Sequence, residues 1–204
     1  MQVTLLSHSD ISLASTAIRT CYQSRGDNGG PKDMELINRV ANVYKHASTI
    51  EHLHYCFYIK GISRACLQEL ARHRMASLSV KSTRYTLKEL RGQEPFGPDE
   101  TKRAEQFLVL TKDELIDAAS IAALERVRAL MNEPKASMDL VKYCLPECYK
   151  TELTWSINAR SLQNFLTLRS SAKALWEIRK LARAVYEALP KEHEFIFASC
   201  IEEG

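Results

Sequence analysis

The sequence predicts an α/β protein of the α+β kind: one domain over residues 1–204, with a mixed central sheet flanked by helices. Three observations carry this. Residues 53–59 and 153–157 alternate apolar and polar side chains with the period of two expected of a half-buried strand. Residues 36–44, 113–131 and 159–190 repeat their apolar side chains at helical spacing. The two kinds of segment follow one another irregularly, which argues against a regular doubly wound sheet.

In chain order, residues 1–7 read as a strand, and Asp10 or Ser12 is placed to cap a helix that carries Leu13, Ala17 and Ile18 toward Thr20. The stretch SRGDNGGPKD at 24–33 holds three of the seven glycines and reads as a turn. A helix with the stripe Leu36, Ile37, Val40 and Tyr44 follows. Over 52–60, Leu53, Tyr55, Phe57 and Ile59 fall on one side of a strand and His54, Cys56, Tyr58 and Lys60 on the other, and Gly61 ends it. ISRACLQELA at 62–71 reads as a short helix leading into RHRMASLSVKSTRY, a loop too poor in large apolar side chains to be core. Two helical patterns occupy 99–132, the second beginning at Asp113, Ala-rich, and closed by Pro134. Pro146 marks a break, TELTWSIN at 151–158 is a second alternating strand, and one or two helices complete the chain to Pro190.

Composition narrows the class. Of 204 residues, 45% are hydrophobic and 26% charged, with 7 Gly and 6 Pro, which excludes a disordered or fibrous chain. A net charge of +3 is too small for a dedicated nucleic-acid protein but allows a locally positive pocket. The six cysteines are scattered without a CxxC pair, and read as reduced thiols of a cytoplasmic protein. The amino terminus lacks a basic leader and no run of about 18 apolar residues occurs, so no membrane partner is expected.

Chemistry concentrates in two segments. Arg72, His73, Arg74, Ser77, Ser79, Lys81, Ser82 and Arg84 fall within thirteen positions, and no acidic residue lies between Glu69 and Glu89. Guanidinium forks and hydroxyls together suit phosphate oxygens. The competing readings are a solvated basic loop and a nucleic-acid surface on 72–91. The loop has no aromatic side chain for base stacking apart from His73, so a discrete phosphorylated metabolite fits better than RNA or single-stranded DNA. In the second segment, Asn158 to Arg169, a helix would place Arg160 and Asn164 on one face and Leu162, Phe165, Leu166 and Leu168 in the apolar remainder. An exposed face with a few amides is the equal alternative. In a third group, His46, His52 and His54, with Glu51 between and Cys56 following, the histidines read as packed or hydrogen-bonded neighbours of a pocket; zinc held by His52, His54 and Cys56 is the alternative, and no metal is expected. There is no GxGxxG and no GxxxxGK[ST].

Arg72-His73-Arg74, seven residues, then Ser82, continued by Thr83-Arg84-Tyr85, resembles the signature of the flavin-dependent thymidylate synthases. STIEHLHYCF at 48–57 and NARSLQNFLTLR at 158–169 resemble two further segments of that family, in the same order. The resemblance implies a homotetramer whose active sites are built from several subunits. It implies reductive methylation of dUMP to dTMP, with FAD as hydride carrier, and NADPH and methylenetetrahydrofolate as co-substrates. Carried over by position, Arg72, His73, Arg74, Ser48, Asn158, Arg160, Asn164 and His46 would meet FAD, His46 at its folate face. Gln68, Arg72, Ser79, Lys81, Ser82, Thr83, Arg84 and Lys142 would receive dUMP, and Arg169 would act catalytically by favouring an ionised uracil. Ser79 and Val80 stand where relatives often have Asn and Glu, and Lys142 where they commonly have Arg. Ser82 has no assigned base and is not expected to be a nucleophile; nor is any cysteine expected to be essential.

Overall fold

The computed structural model describes residues 1–24 and 30–202; residues 25–29 of the turn expected at 24–33 lie outside the described residues. In chain order the elements are β1 (Gln2–His8), α1 (Ser12–Tyr22), α2 (Pro31–Ile37), β2 (His54–Ser63), α3 (Arg64–Ala71), β3 (Ala76–Val80), α4 (Thr83–Thr86) and α5 (Thr101–Ala104). They continue with α6 (Glu114–Met131), α7 (Met138–Val141), β4 (Lys150–Asn158), α8 (Ala159–Ser170), α9 (Trp176–Glu187) and α10 (Glu194–Phe197). The strands form one sheet in the order β1-β2-β4-β3, with β1 antiparallel to β2. The sheet is antiparallel and not mixed. That agrees with the one-in, one-out burial along β4, since antiparallel strands commonly bury a single face.

The residues divide into two compact units. The first comprises Met1–Lys60, Glu69–Ser79 and Thr154–Gly204, and the second Gly61–Gln68 and Val80–Leu153.

The first unit is built on aromatic side chains that β2 and β4 deliver to one face. Phe57 and Trp155 lie with ring centroids 5.9 Å apart, and Trp155 meets Phe165 of α8 edge-on at 5.0 Å. All three are fully buried. Leu162 and Leu166 extend this apolar face of α8, which packs against α9 with its buried Ile178, Leu181 and Val185. Near the amino terminus, Asp10 accepts the Ser12 N–H at 2.8 Å, starting α1 as expected. A bidentate pair between Arg19 and the buried Asp33, at 2.6 and 3.1 Å, ties α1 to α2.

The second unit gathers around α6. Asp113 accepts the N–H groups of Leu115 and Ile116, both at 3.1 Å, which caps the helix at its expected start. Leu124, Val127 and Met131 then pack in one cluster with Leu87, Leu90, Phe96, Leu108 and Tyr149.

Three further expectations are corrected. Gly61 does not end β2: it sits within the strand at φ +75°, and the chain continues extended to Ser63, whose hydroxyl accepts the Cys66 N–H at 2.9 Å and starts α3. The 72–85 segment is not all loop, because Ala76–Val80 form β3 at an edge of the sheet; an edge strand needs few large apolar side chains, and its alternation of Ala76 and Leu78 with Ser77 and Ser79 is weak for that reason. Tyr44 leaves its expected stripe and is 56% exposed, because a wide π turn over Asn38–Val43 changes the helical register.

Since Phe165 joins the core to α8, Phe165→Ala is expected to cost about 3–5 kcal/mol of stability. Denaturant unfolding of the variant and the parent measures it, and a loss below about 1 kcal/mol would contradict the role given to this ring.

Candidate active site

α8 leaves β4 without an intervening loop. Asn158 ends the strand and caps the helix, its Oδ1 accepting the Ser161 N–H at 2.9 Å. Because Leu162, Phe165 and Leu166 are turned into the core, the opposite face presents Arg160, Ser161, Asn164, Leu168 and Arg169 to a cleft. Leu168 thus belongs with the polar face and not the apolar one: it lies one turn beyond Asn164 and is 54% exposed. The other wall carries Arg72, His73, Arg74 and Met75, with Glu51 completing the lining of a volume of about 690 Å³. Seven of the positions singled out in the sequence therefore share one cleft: Arg72, His73, Arg74, Asn158, Arg160, Asn164 and Arg169.

Its floor is the pair Arg169 and His73. Arg169 Nε donates to His73 Nε2 at 3.0 Å, Nη1 donates to Glu69 Oε2 at 2.6 Å, and Nη2 donates to the Glu69 carbonyl at 3.2 Å. An imidazole nitrogen that accepts cannot carry a proton, so the ring is neutral with its hydrogen on Nδ1. Burial, then the Arg169 charge, push the His73 pKa down to about 4. His73 also meets the edge of Phe165, with centroids 5.1 Å apart. Nearer the surface, Arg160 Nη1 pairs with Glu51 Oε1 at 2.5 Å.

The remaining expected residues lie elsewhere. Ser48 lines a separate cleft of about 570 Å³ with Leu13, Thr16, Thr49 and His52, while His46 is exposed with its ring centroid 6.2 Å from that of Tyr44. Ser79 is exposed on β3. In the second unit, Gln68 donates to Glu147 at 2.9 Å, Lys81 pairs with Glu89 at 2.9 Å, and Arg84 holds Asp139 through Nε and Nη2 at 2.5 and 3.2 Å. Ser82 and Thr83 begin α4, and Lys142 Nζ stands 6.0 Å from the centroid of the Tyr143 ring. Among the described residues no group of three or more His, Cys, Asp or Glu side chains could hold a metal ion, so His52, His54 and Cys56 do not form one. Sequence reasoning missed Glu51 and Glu69 as site residues, although the spacing of Glu69 and Arg72, now 3.6 Å apart, carried a weak helical signal.

The family model described as thymidylate synthase complementing protein matches residues 4–193. A protein of Campylobacter jejuni strain RM1221 called flavin-dependent thymidylate synthase is 61% identical over 205 residues, covering 100% of this chain and 99% of the relative. The chain belongs to the flavin-dependent thymidylate synthase family. Among its flavin-dependent thymidylate synthase relatives, the one of Wolinella succinogenes is 62% identical and covers 97% of both chains. A crystal structure of the Helicobacter pylori flavin-dependent thymidylate synthase, complexed with FAD and dUMP, has a TM-score of 0.95 at 54% identity and covers 99% of this chain and 100% of that one.

In the unfolded chain His73 takes its proton near 6.5, in the folded one only near 4. Between those values the unfolded state binds more protons, so the contribution of His73 to stability is full above pH 6.5 and is lost as pH falls toward 4. Unfolding in urea at pH 7 and pH 5 is expected to show an acid loss smaller by about 2 kcal/mol in His73→Phe than in the parent. Equal acid losses in the two proteins would show that His73 is not held neutral.

Proposed function

We propose that this protein carries out the reductive methylation of dUMP to dTMP, with FAD as hydride carrier, NADPH as reductant and methylenetetrahydrofolate as one-carbon donor. The observation that carries the reading is the gathering of seven family-signature residues from two distant segments into one cleft. The residues fit a flavin dinucleotide. Arg72, Arg74 and Arg160 supply cationic donors for a pyrophosphate, and the exposed apolar side chains of Met75 and Leu168 offer a surface for a flat ring. When bound, FAD supplies the hydride that ends on the pyrimidine.

The chain's own residues then bind and orient. Three of the five N–H bonds of Arg169 are committed to Glu69 and His73, leaving two to meet an oxygen on which negative charge develops. Neutral His73 keeps a third positive charge from forming beside Arg169 and Arg72. Asn158 and Asn164 add uncharged amides, and Ser48 and His46 contact other parts of the cofactor in this reading. Gln68, Ser79, Lys81, Ser82, Thr83, Arg84 and Lys142 receive dUMP together with Arg72; Arg84 would exchange Asp139 for the phosphate, both side chains being 55% exposed and joined by a surface pair. Neither Ser82 nor a cysteine acts as nucleophile. The working unit is a cytoplasmic homotetramer with shared sites, which the exposed apolar side chains of Leu115, Leu140 and Tyr143 favour. Among the described residues no helix is long and apolar enough to cross a membrane.

The purified protein is expected to be yellow and to be bleached by NADPH in the presence of dUMP; a colourless protein that retains zinc or shifts RNA would overturn the reading. Arg169→Ala is expected to keep its flavin absorbance and lose on the order of a hundredfold or more in turnover, the scale of a lost oxyanion donor. Unchanged turnover would remove Arg169 from the mechanism. Serine replacements at each of the six cysteines are expected to leave dTMP formation intact, measured by radiolabel transfer, and one that abolishes it in a folded, flavin-binding protein would demand a nucleophile.

A further inference from the structure

Glu69 touches neither cofactor nor substrate in the function proposed above, yet it grips two of the cleft's arginines. Its Oε2 accepts from Arg169 Nη1 at 2.6 Å, its peptide carbonyl accepts from Nη2 at 3.2 Å, and its Oε1 lies 3.6 Å from Arg72 Nη1. The Arg169 side chain is only 15% exposed, whereas that of Arg72 is 73% exposed. Glu69 therefore acts mainly on Arg169. An arginine has four side-chain torsions, and a guanidinium on a helix surface samples many orientations unless its neighbours exclude all but one. Here the exclusion is threefold: a carboxylate, the carbonyl of the same residue, and the lone pair of His73.

We propose that Glu69 is the positioning residue of this site: through its carboxylate and its own peptide carbonyl it anchors Arg169 against His73, so that the two uncommitted N–H bonds of Arg169 meet the substrate in one orientation. The inference deepens the function proposed above and rests on it for the identity of the substrate. A reacting group misplaced by about 1 Å can lose about a hundredfold in rate, so such an anchor matters to turnover without touching the reacting atoms.

A fold-holding staple between α3 and α8 would show the same distances. The two roles separate at His73. The charged groups facing that ring are Arg169 from α8, Glu69 from α3 and the adjacent Arg72; the arginines keep the proton off and Glu69 favours it, with Arg169 the stronger charge. Removing the carboxylate alone would lower the His73 titration midpoint further. Removing it and thereby releasing Arg169 would raise the midpoint, with burial still holding it below 6.5.

The test is Glu69→Ala in the flavin-loaded protein, with His73 followed by NMR of labelled histidine and turnover measured with dUMP. The expected result is a midpoint higher than the parent's, kcat lower by about tenfold or more, unchanged flavin content, and a KM for dUMP within about threefold of the parent. Glu69→Gln keeps the volume, the peptide carbonyl and one acceptor oxygen, and is expected to retain at least about a third of kcat; it also serves should the alanine variant fail to fold. An alanine variant with an unmoved or lowered His73 midpoint, or with parental kcat, overturns the proposal, as does a glutamine variant as slow as the alanine one. A parent protein that makes no dTMP, alongside a raised midpoint in Glu69→Ala, sinks the functional reading and supports the anchor.

Discussion

The contact of Trp155 with Phe165 is the constraint on which the site depends. Trp155 is an inward residue of β4, and Phe165 is an inward residue of the helix that follows it without a loop. Seating one ring against the other fixes how α8 is rotated about its axis, and a helix rotated to bury Leu162, Phe165 and Leu166 must turn Arg160, Asn164 and Leu168 outward. The chain of rings continues from Phe165 to His73, which in turn accepts from Arg169. Core packing and functional geometry are thus one structure: the ring that stabilises the helix also seats the imidazole.

Electrostatics complete what packing begins. Four positive residues of the chemical segments each meet a carboxylate of their own unit: Arg160 meets Glu51, Arg169 meets Glu69, Lys81 meets Glu89 and Arg84 meets Asp139. The pairs are not equivalent. Arg160 is 57% exposed and its pair is worth little in water, so an arriving anion can compete for it, whereas Arg169 is sunk and hydrogen-bonded on several sides. The cleft therefore combines replaceable cations at its mouth with a fixed one at its floor. Tyr149 adds a second fixture in the other unit: its hydroxyl donates to Glu89 at 2.6 Å, and burial pushes its pKa up, so the carboxylate that holds Lys81 is itself held.

Much of this was legible in the residues. The period-two run around Trp155 and the four-residue spacing of Arg160 and Asn164 encode a strand and a helix face locally, because side-chain direction follows from backbone period alone. The cap at Asp113 was legible for the same reason. What escaped was non-local. Glu51 and Arg160 are 109 positions apart, Glu69 and Arg169 are 100 apart, and no periodicity records such a pairing. The stretch without acidic residues between Glu69 and Glu89 suggested cations without partners, yet the two boundary residues themselves supply carboxylates, to Arg72 and to Lys81. β3 escaped because a small-residue edge strand carries little apolar contrast, and Gly61 misled because a positive φ can bend a strand without ending it.

The cap on α8 reaches beyond helix stability. Asn158 has one carbonyl oxygen and one amide nitrogen at the tip of its side chain, and the oxygen is already engaged with the Ser161 N–H. The free end is the nitrogen, a donor only. Whatever atom of a bound molecule comes to rest there must carry a lone pair, and an N–H or hydroxyl hydrogen at that spot would be turned away. By closing a helix, the fold has fixed the hydrogen-bond polarity of one corner of its cleft before any ligand arrives.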